Sequence, residues 1–294
     1  MTQRGVRKTR GRWRQSMKIH IAKTAGFCMG VRRAMNMTMG AVKKYNPPIY
    51  TFGPLIHNAQ ALDILKERGV SIINHIPDKT TAAVIIRAHG VPPKIKHQLA
   101  GAAQYLLDAT CPRVIEVQTI IAAHAARGYS AIIAGDPDHP EVVGLLGYAK
   151  NRGHVIDSIE ALGALPHFEK SIIVAQTTQN ISFYNDVKKW AAAVRPHYKL
   201  FDTICNSTSR RQAEVTEMAQ FGDIFIVVGG KNSGNTKRLA QIARQSGKPV
   251  HHIETEAEID IHQIKAFENI CITAGASTPN WVIQKVVEKI ESAI

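Results

Sequence analysis

TAGFCMGVRRA (residues 24–34), LLDATCPRVIE (106–116) and LFDTICNSTSRR (200–211) share one pattern. In each, a strand or strand end runs into a cysteine that opens a helix. The cysteines, Cys28, Cys111 and Cys205, stand 83 and 94 residues apart. Further along each copy comes a second shared element: FGPLIHN, AGDPDHP and VGGKNSG. There a glycine at a strand end (Gly53, Gly135, Gly229) is followed four residues later by His57, His139 or Ser233. A third element follows, IIRAHG, VAQTTQ and TAGAST, an apolar strand whose end presents His89, Thr177 or Ser277.

Between these elements, apolar β-rich runs such as SAIIAG, SIIVAQ and DIFIVVG alternate with helix-period segments such as NAQALDILKERG and NTKRLAQIARQSG. Both helical segments end in glycine, a common helix stop. Strand–helix alternation argues for α/β units with parallel sheets. The chain therefore reads as three copies of one α/β unit: a repeat over 17–110, a second over 111–204, and a third over 205–294 with a C-terminal helix. Each copy offers one thiol and two polar groups at the carboxyl ends of strands, where open α/β sheets bind ligands. The repeat is longer than solenoid repeats, which predicts a closed trefoil of pseudo-symmetric units around a central site.

The 294 residues suit two or three compact units better than one small core. No run of 18 apolar residues predicts a membrane span, and the N-terminus lacks the apolar stretch of a signal peptide. Four cysteines do not make a disulfide framework; metal ligands, reactive thiols or core residues are the readings left. The net charge of +14 is uneven. Residues 1–16 hold six Lys/Arg and no acid, which reads as a solvated basic tail, with a start-site extension before Met17 or a targeting segment as alternatives. The basic remainder suits an anionic ligand or an acidic partner. No nucleic-acid-binding signature accompanies the charge, and a cytoplasmic protein without a membrane partner is expected.

Three thiols from three repeats make an unusual zinc site, because structural zinc takes four ligands, often in CxxC pairs, and no CxxC occurs here. A four-iron cluster normally takes four cysteines. Three would leave one iron open to act as a Lewis acid. Inert core cysteines are the bland alternative, but a helix start favours the thiolate that metals require. Cys271, inside the strand NICITAG and without repeat counterparts, reads as core. Imidazole, hydroxyl and amide groups of the central set suit a diphosphate, assisted by glycine-rich turns at helix N-termini. Glu141, just past His139 and Pro140, is placed to carry protons to a leaving hydroxyl; a helix-dipole role is its alternative.

Nine ordered stretches, among them AGFCMGVRRA, RAHGVPP, DATCP, HPEVVG, AQTTQ, VVGGKNSGNTKRL and AGASTPNWVI, resemble the LytB (IspH) family of 4-hydroxy-3-methylbut-2-enyl diphosphate reductases. The resemblance runs from about residue 18 to residue 285. It implies one [4Fe–4S] cluster on Cys28, Cys111 and Cys205 with one iron open to substrate. It implies diphosphate binding by His57, His89, His139, Ser233, Asn235 and Ser277, Glu141 as proton donor, and Thr177 placing the substrate hydroxyl. The implied reaction is a reductive dehydroxylation giving isopentenyl and dimethylallyl diphosphates, the last step of the non-mevalonate isoprenoid pathway, with electrons from ferredoxin or flavodoxin. One departure is Gly234, where many family members have a second serine. A hydro-lyase working without electrons is the nearest rival, separated by whether turnover consumes reductant.

Overall fold

A computed structural model describes residues 17–292. The basic segment 1–16 lies outside the described residues. The chain opens with β1 (Lys18–Ile21) and α1 (Met29–Lys44), followed by β2 (Ile49–Phe52), α2 (Ala59–Glu67), β3 (Val70–Ile73), β4 (Thr80–Ile86), α3 (Pro93–Ala102) and β5 (Ala103–Asp108). Next come α4 (Pro112–Ala125), β6 (Ser130–Ala134), α5 (Pro140–Leu146), β7 (Gly153–Ile156), α6 (Ile159–Gly163), β8 (Ser171–Ala175), α7 (Ile181–Val194) and β9 (Lys199–Leu200). The last third holds α8 (Asn206–Met218), β10 (Ile224–Val228), α9 (Gly234–Gln245), β11 (Val250–Ile253), a 3₁₀ turn at Glu256–Glu258, α10 (Ile261–Ile264), β12 (Asn269–Ala274) and α11 (Asn280–Glu291).

Three four-stranded parallel sheets result, ordered β3-β2-β4-β5, β7-β6-β8-β9 and β11-β10-β12-β1. The central strands read as continuous apolar runs because both faces of each sheet are covered. In β10, IFIVV is buried throughout. Alternate residues feed two separate clusters: Ile224, Ile226 and Val228 pack on α11 through Val282 and Val286, while Phe225 and Val227 pack on α8 and α9 through Val215 and Leu239. The other two sheets repeat this plan. Ile49 and Ile85 meet α1 and α2, whereas Val84 and Ile86 meet Leu99 of α3. Ile133 and Val174 meet α4 and α5, whereas Ile132 and Ile173 meet α7. Each unit is thus a parallel sheet with two helices on one face and, on the other, α3, α7 with the short α6, or α11 with the short α10, in the trefoil plan expected from the repeats.

The packed units are offset from the chain repeat by one strand. The interval 17–110 contains β1, yet β1 is hydrogen-bonded to β12 of the third sheet, with Ile19 opposite Ile270 and Ile21 opposite Ile272. It occupies the edge position that β5 and β9 take in the other sheets. Each of these three edge strands, β1, β5 and β9, then leaves its sheet through a cysteine and enters the first helix of the next unit. The N-terminal strand therefore closes the ring.

Candidate active site

The three cysteines sit at equivalent junctions. Each is the N-cap of its helix: Cys28 of α1, Cys111 of α4 and Cys205 of α8. Each donates its backbone N–H to the end of a neighbouring strand segment: Cys28 to Ala276 O at 3.1 Å, Cys111 to Ala88 O at 2.9 Å, and Cys205 to Thr177 O at 3.0 Å. Pro112 occupies the first helical position after Cys111, where a missing N–H costs nothing. All three thiols line one central pocket. Gly30, in the first turn of α1, shows how close they come: a Cβ there would lie 2.5 Å from Cys111 Sγ and 3.9 Å from Cys28 Sγ.

Burial raises the Cys111 thiol above its ordinary pKa, and Cys28 and Cys205 add to the rise, against backbone N–H groups of Arg113 and Val114. Thiols that hinder one another's ionisation are relieved by a shared cation, since metal ligation takes the thiolate. The glycine cradle and the three-thiol donor set both fit a cluster of the kind the sequence implied. Cys271 is fully buried in the third unit, its thiol 3.8 Å from Met218 O, which places it in the core.

Three imidazoles line the same pocket as the thiols. Ring centroids are 4.5 Å apart for His57–His89, 5.5 Å for His57–His139 and 5.3 Å for His89–His139. Burial lowers all three pKa values, His139 to about 4; Arg87 adds to the effect on each, Lys237 adds to it on His57, and neighbouring imidazoles add to it on His89 and His139. The His139 Nδ1 accepts the Glu141 N–H at 3.1 Å, which leaves the ring proton on Nε2 as a donor. His57 Nε2, His89 Nδ1 and both amide atoms of Asn235 are buried without partners. Such atoms are costly unless a ligand satisfies them. The imidazole ligand atoms lie within 4.8 Å of one another, near enough for one cation. The surrounding hydroxyls, amide and helix ends favour an anion instead.

Ser233 caps α9, its Oγ accepting the Thr236 N–H at 3.4 Å, and Asn235 is the second helical residue. Ser277 Oγ donates to His57 O at 3.0 Å, tying the first and third units together. Gly234 stands in the first helical position, where an N–H has no intrahelical acceptor. A Cβ there would meet Thr178 Oγ1 at 3.2 Å and His139 Nε2 at 3.4 Å, so this glycine gives the pocket room where a serine would narrow it.

Glu141 is the second residue of α5 and is buried. Its Oε1 accepts the Thr177 N–H at 2.6 Å and its Oε2 accepts the Thr177 hydroxyl at 2.7 Å. Those bonds favour the carboxylate, but burial outweighs them and the pKa rises to about 7. A carboxyl poised near neutrality suits proton transfer.

The structure revises the register of the third repeat element. Turn bonds Gly90 N–H to Arg87 O, Gln179 N–H to Gln176 O and Thr278 N–H to Gly275 O align the three strand ends. Thr178, not Thr177, is therefore the counterpart of His89 and Ser277. Thr177 matches Ala88 and Ala276, the other two cysteine acceptors. Thr178 lines the pocket and was missed because AQTTQ offers two threonines with no local signal to choose between them. Every predicted site residue, Cys28, Cys111, Cys205, His57, His89, His139, Glu141, Thr177, Ser233, Asn235 and Ser277, lines the same pocket.

Residues 19–291 match the model of the LytB protein family. The chain belongs to the LytB family. It is 38% identical over 288 residues to the 4-hydroxy-3-methylbut-2-enyl diphosphate reductase of Opitutus terrae, covering 94% of this chain and all of that one. With the reductase of Aquifex aeolicus it shares 39% identity, over 93% of this chain and 96% of that one. The corresponding reductase structure from Plasmodium falciparum superposes with a TM-score of 0.88 at 27% identity, covering 93% of this chain and 87% of that one. A second solved structure, that of an (E)-4-hydroxy-3-methyl-but-2-enyl diphosphate reductase, the terminal enzyme of the non-mevalonate pathway, is 39% identical with a TM-score of 0.68, covering 93% of this chain and 99% of that one. Among the described residues, no helix of this LytB member is long and apolar enough to cross a membrane.

Proposed function

We propose that this chain reduces 4-hydroxy-3-methylbut-2-enyl diphosphate, the activity named for its relatives. The carrying observation is that one pocket brings together three helix-capping thiols, three neutral imidazoles and a buried carboxyl held by Thr177. Cys28, Cys111 and Cys205 would hold the [4Fe–4S] cluster. When bound, that cluster supplies electrons and an open Lewis-acidic iron for the substrate hydroxyl.

The remaining residues explain how substrate is held and protonated. His57, His89 and His139 offer ring N–H donors to the diphosphate, joined by the Asn235 amide, the Ser233 and Ser277 hydroxyls and the free N–H groups at the start of α9. The histidines come from the first two units and the serines from the third. Anchored at its charged end, the substrate turns its hydroxyl toward the thiols. Thr177, fixed by Glu141, orients that hydroxyl, and Glu141 delivers the proton that lets it depart as water. The balance is two electrons and two protons consumed for one C–O bond broken, one C–H bond formed and one water released. Isopentenyl and dimethylallyl diphosphates are the products, differing in which allylic carbon takes the second proton. A ferredoxin or flavodoxin type of protein serves as donor.

The test is anaerobic purification with iron and sulfide analysis, followed by turnover of the hydroxylated diphosphate with a chemical reductant. Reductant consumed in proportion to product supports the reading. Water loss without reductant consumption, or a protein unable to assemble iron and sulfide, overturns it.

A further inference from the structure

Arg211, six residues beyond Cys205 on α8, is 3% exposed. Its Nη2 donates to Gly26 O at 2.8 Å and its Nη1 to Ala274 O at 3.4 Å. Gly26 lies two residues before Cys28. Ala274 lies two residues before Ala276, whose carbonyl accepts the Cys28 N–H. A guanidinium is thus fixed directly behind the Cys28 turn, with its Nε buried and unpartnered. Glu214, three residues along the same helix, is occupied by the Lys23 and Thr24 N–H groups and the Thr24 hydroxyl. Burial lowers the Arg211 pKa, while Cys28, Glu214 and Cys205 oppose that shift. A buried cation is costly without a counter-charge, and the central thiols stand where one is needed.

The other junctions differ. Arg33 of α1 reaches Thr110 O at 3.1 Å and Asp108 O at 3.3 Å ahead of Cys111, but it is only half-buried. At the Cys205 approach, α4 contributes the His124 ring against Phe201 instead, at 5.1 Å. Of these two junction arginines, solvent screens Arg33 more than Arg211, so the buried charge of Arg211 acts on the Cys28 side with less attenuation.

We propose that Arg211 is a positioning residue for electron transfer: its buried positive charge behind Cys28 favours the reduced state of the thiol-held cluster. The proposal rests on the reading that Cys28, Cys111 and Cys205 hold that cluster. Adding an electron makes the cluster more negative, so a nearby fixed cation makes reduction easier. A purely structural tie would depend on hydrogen bonds to Gly26 and Ala274 and not on charge.

The full-length protein, reconstituted anaerobically with iron and sulfide, is compared with Arg211→Gln and Arg211→Lys. Iron and sulfide content is measured first; a wild-type protein that assembles no cluster overturns the underlying reading and this proposal together. With clusters present, Arg211→Gln is expected to have a more negative midpoint potential, at least a tenfold shift in the reduction equilibrium, about 59 mV for one electron. Arg211→Lys should stay near the wild-type value. Equal potentials in all three proteins, with both variants melting earlier, would make Arg211 a structural tie and overturn the proposal. If Arg211→Gln does not fold or hold iron, Arg211→His decides within one protein. Its potential must rise more steeply than wild type's as pH falls through the imidazole range, and a pH profile identical to wild type's overturns the proposal.

Discussion

Thr177 clasps Glu141 with two hydrogen bonds, its N–H to Oε1 at 2.6 Å and its hydroxyl to Oε2 at 2.7 Å. The clasp fixes the carboxyl, and burial keeps its pKa near 7. Glu141→Gln preserves shape but cannot act as an acid. It is expected to retain iron and diphosphate binding and to turn over about 10²–10⁴-fold more slowly. Near-normal anaerobic turnover in this variant would assign the proton to water or to the substrate's diphosphate.

The same residue sets a pH signature. A carboxyl raised from 4.5 to about 7 is more readily protonated folded than unfolded. Its contribution to stability is fully present below about pH 4.5 and is lost as pH rises through about 7. Thermal melts of the apoprotein at pH 5 and pH 8 should therefore differ more in wild type than in Glu141→Gln.

The histidine triad predicts linked proton uptake. At neutral pH, burial keeps His57, His89 and His139 uncharged. A bound diphosphate favours imidazolium and raises those pKa values. Inorganic pyrophosphate should bind more tightly at pH 6 than at pH 8, taking up protons. Calorimetry in buffers of different ionisation enthalpy measures the number, and buffer-independent heats would contradict the prediction.

Gly30 and Gly40 lie on the same helix but face different neighbours. A Cβ on Gly30 would press on Cys111 Sγ, whereas one on Gly40 meets nothing within 4 Å. Gly30→Ala is expected to prevent cluster assembly, read as lost iron and sulfide, with all three thiols still present. Gly40→Ala should assemble normally and gain about 0.5–1 kcal/mol of stability, because alanine is the better helix former.

The thiols divide by location. Serine at Cys28, Cys111 or Cys205 should lose iron and turnover, because each is proposed to supply one of three ligands. Cys271→Ser should keep its iron, since that thiol lies in the third core against Met218 O. Iron analysis of the four variants separates the cases.

Much of this molecule could be read locally. Apolar runs bounded by glycines predict the strands, and Cys111 before Pro112 or Ser233 before a helical period predicts where helices begin. These signals are local because backbone torsions and the first turn's unpaired N–H groups are satisfied within a few residues. The threefold repetition of those signals was enough to single out the cysteines and the histidines, since each repeats a position whose geometry the fold copies. Tertiary structure alone decided that β1 completes the third sheet beside β12, some 250 residues away in sequence. An edge strand is placed by whichever open edge can complete its hydrogen bonds and bury its apolar face, and nothing within KIHI specifies that partner. The same holds for Thr178, chosen over Thr177 by a turn bond, and for Arg211. Its sequence surroundings are an ordinary polar helix, and it becomes a buried cation behind Cys28 only because α8 packs, within the third unit, against the ends of β1 and β12.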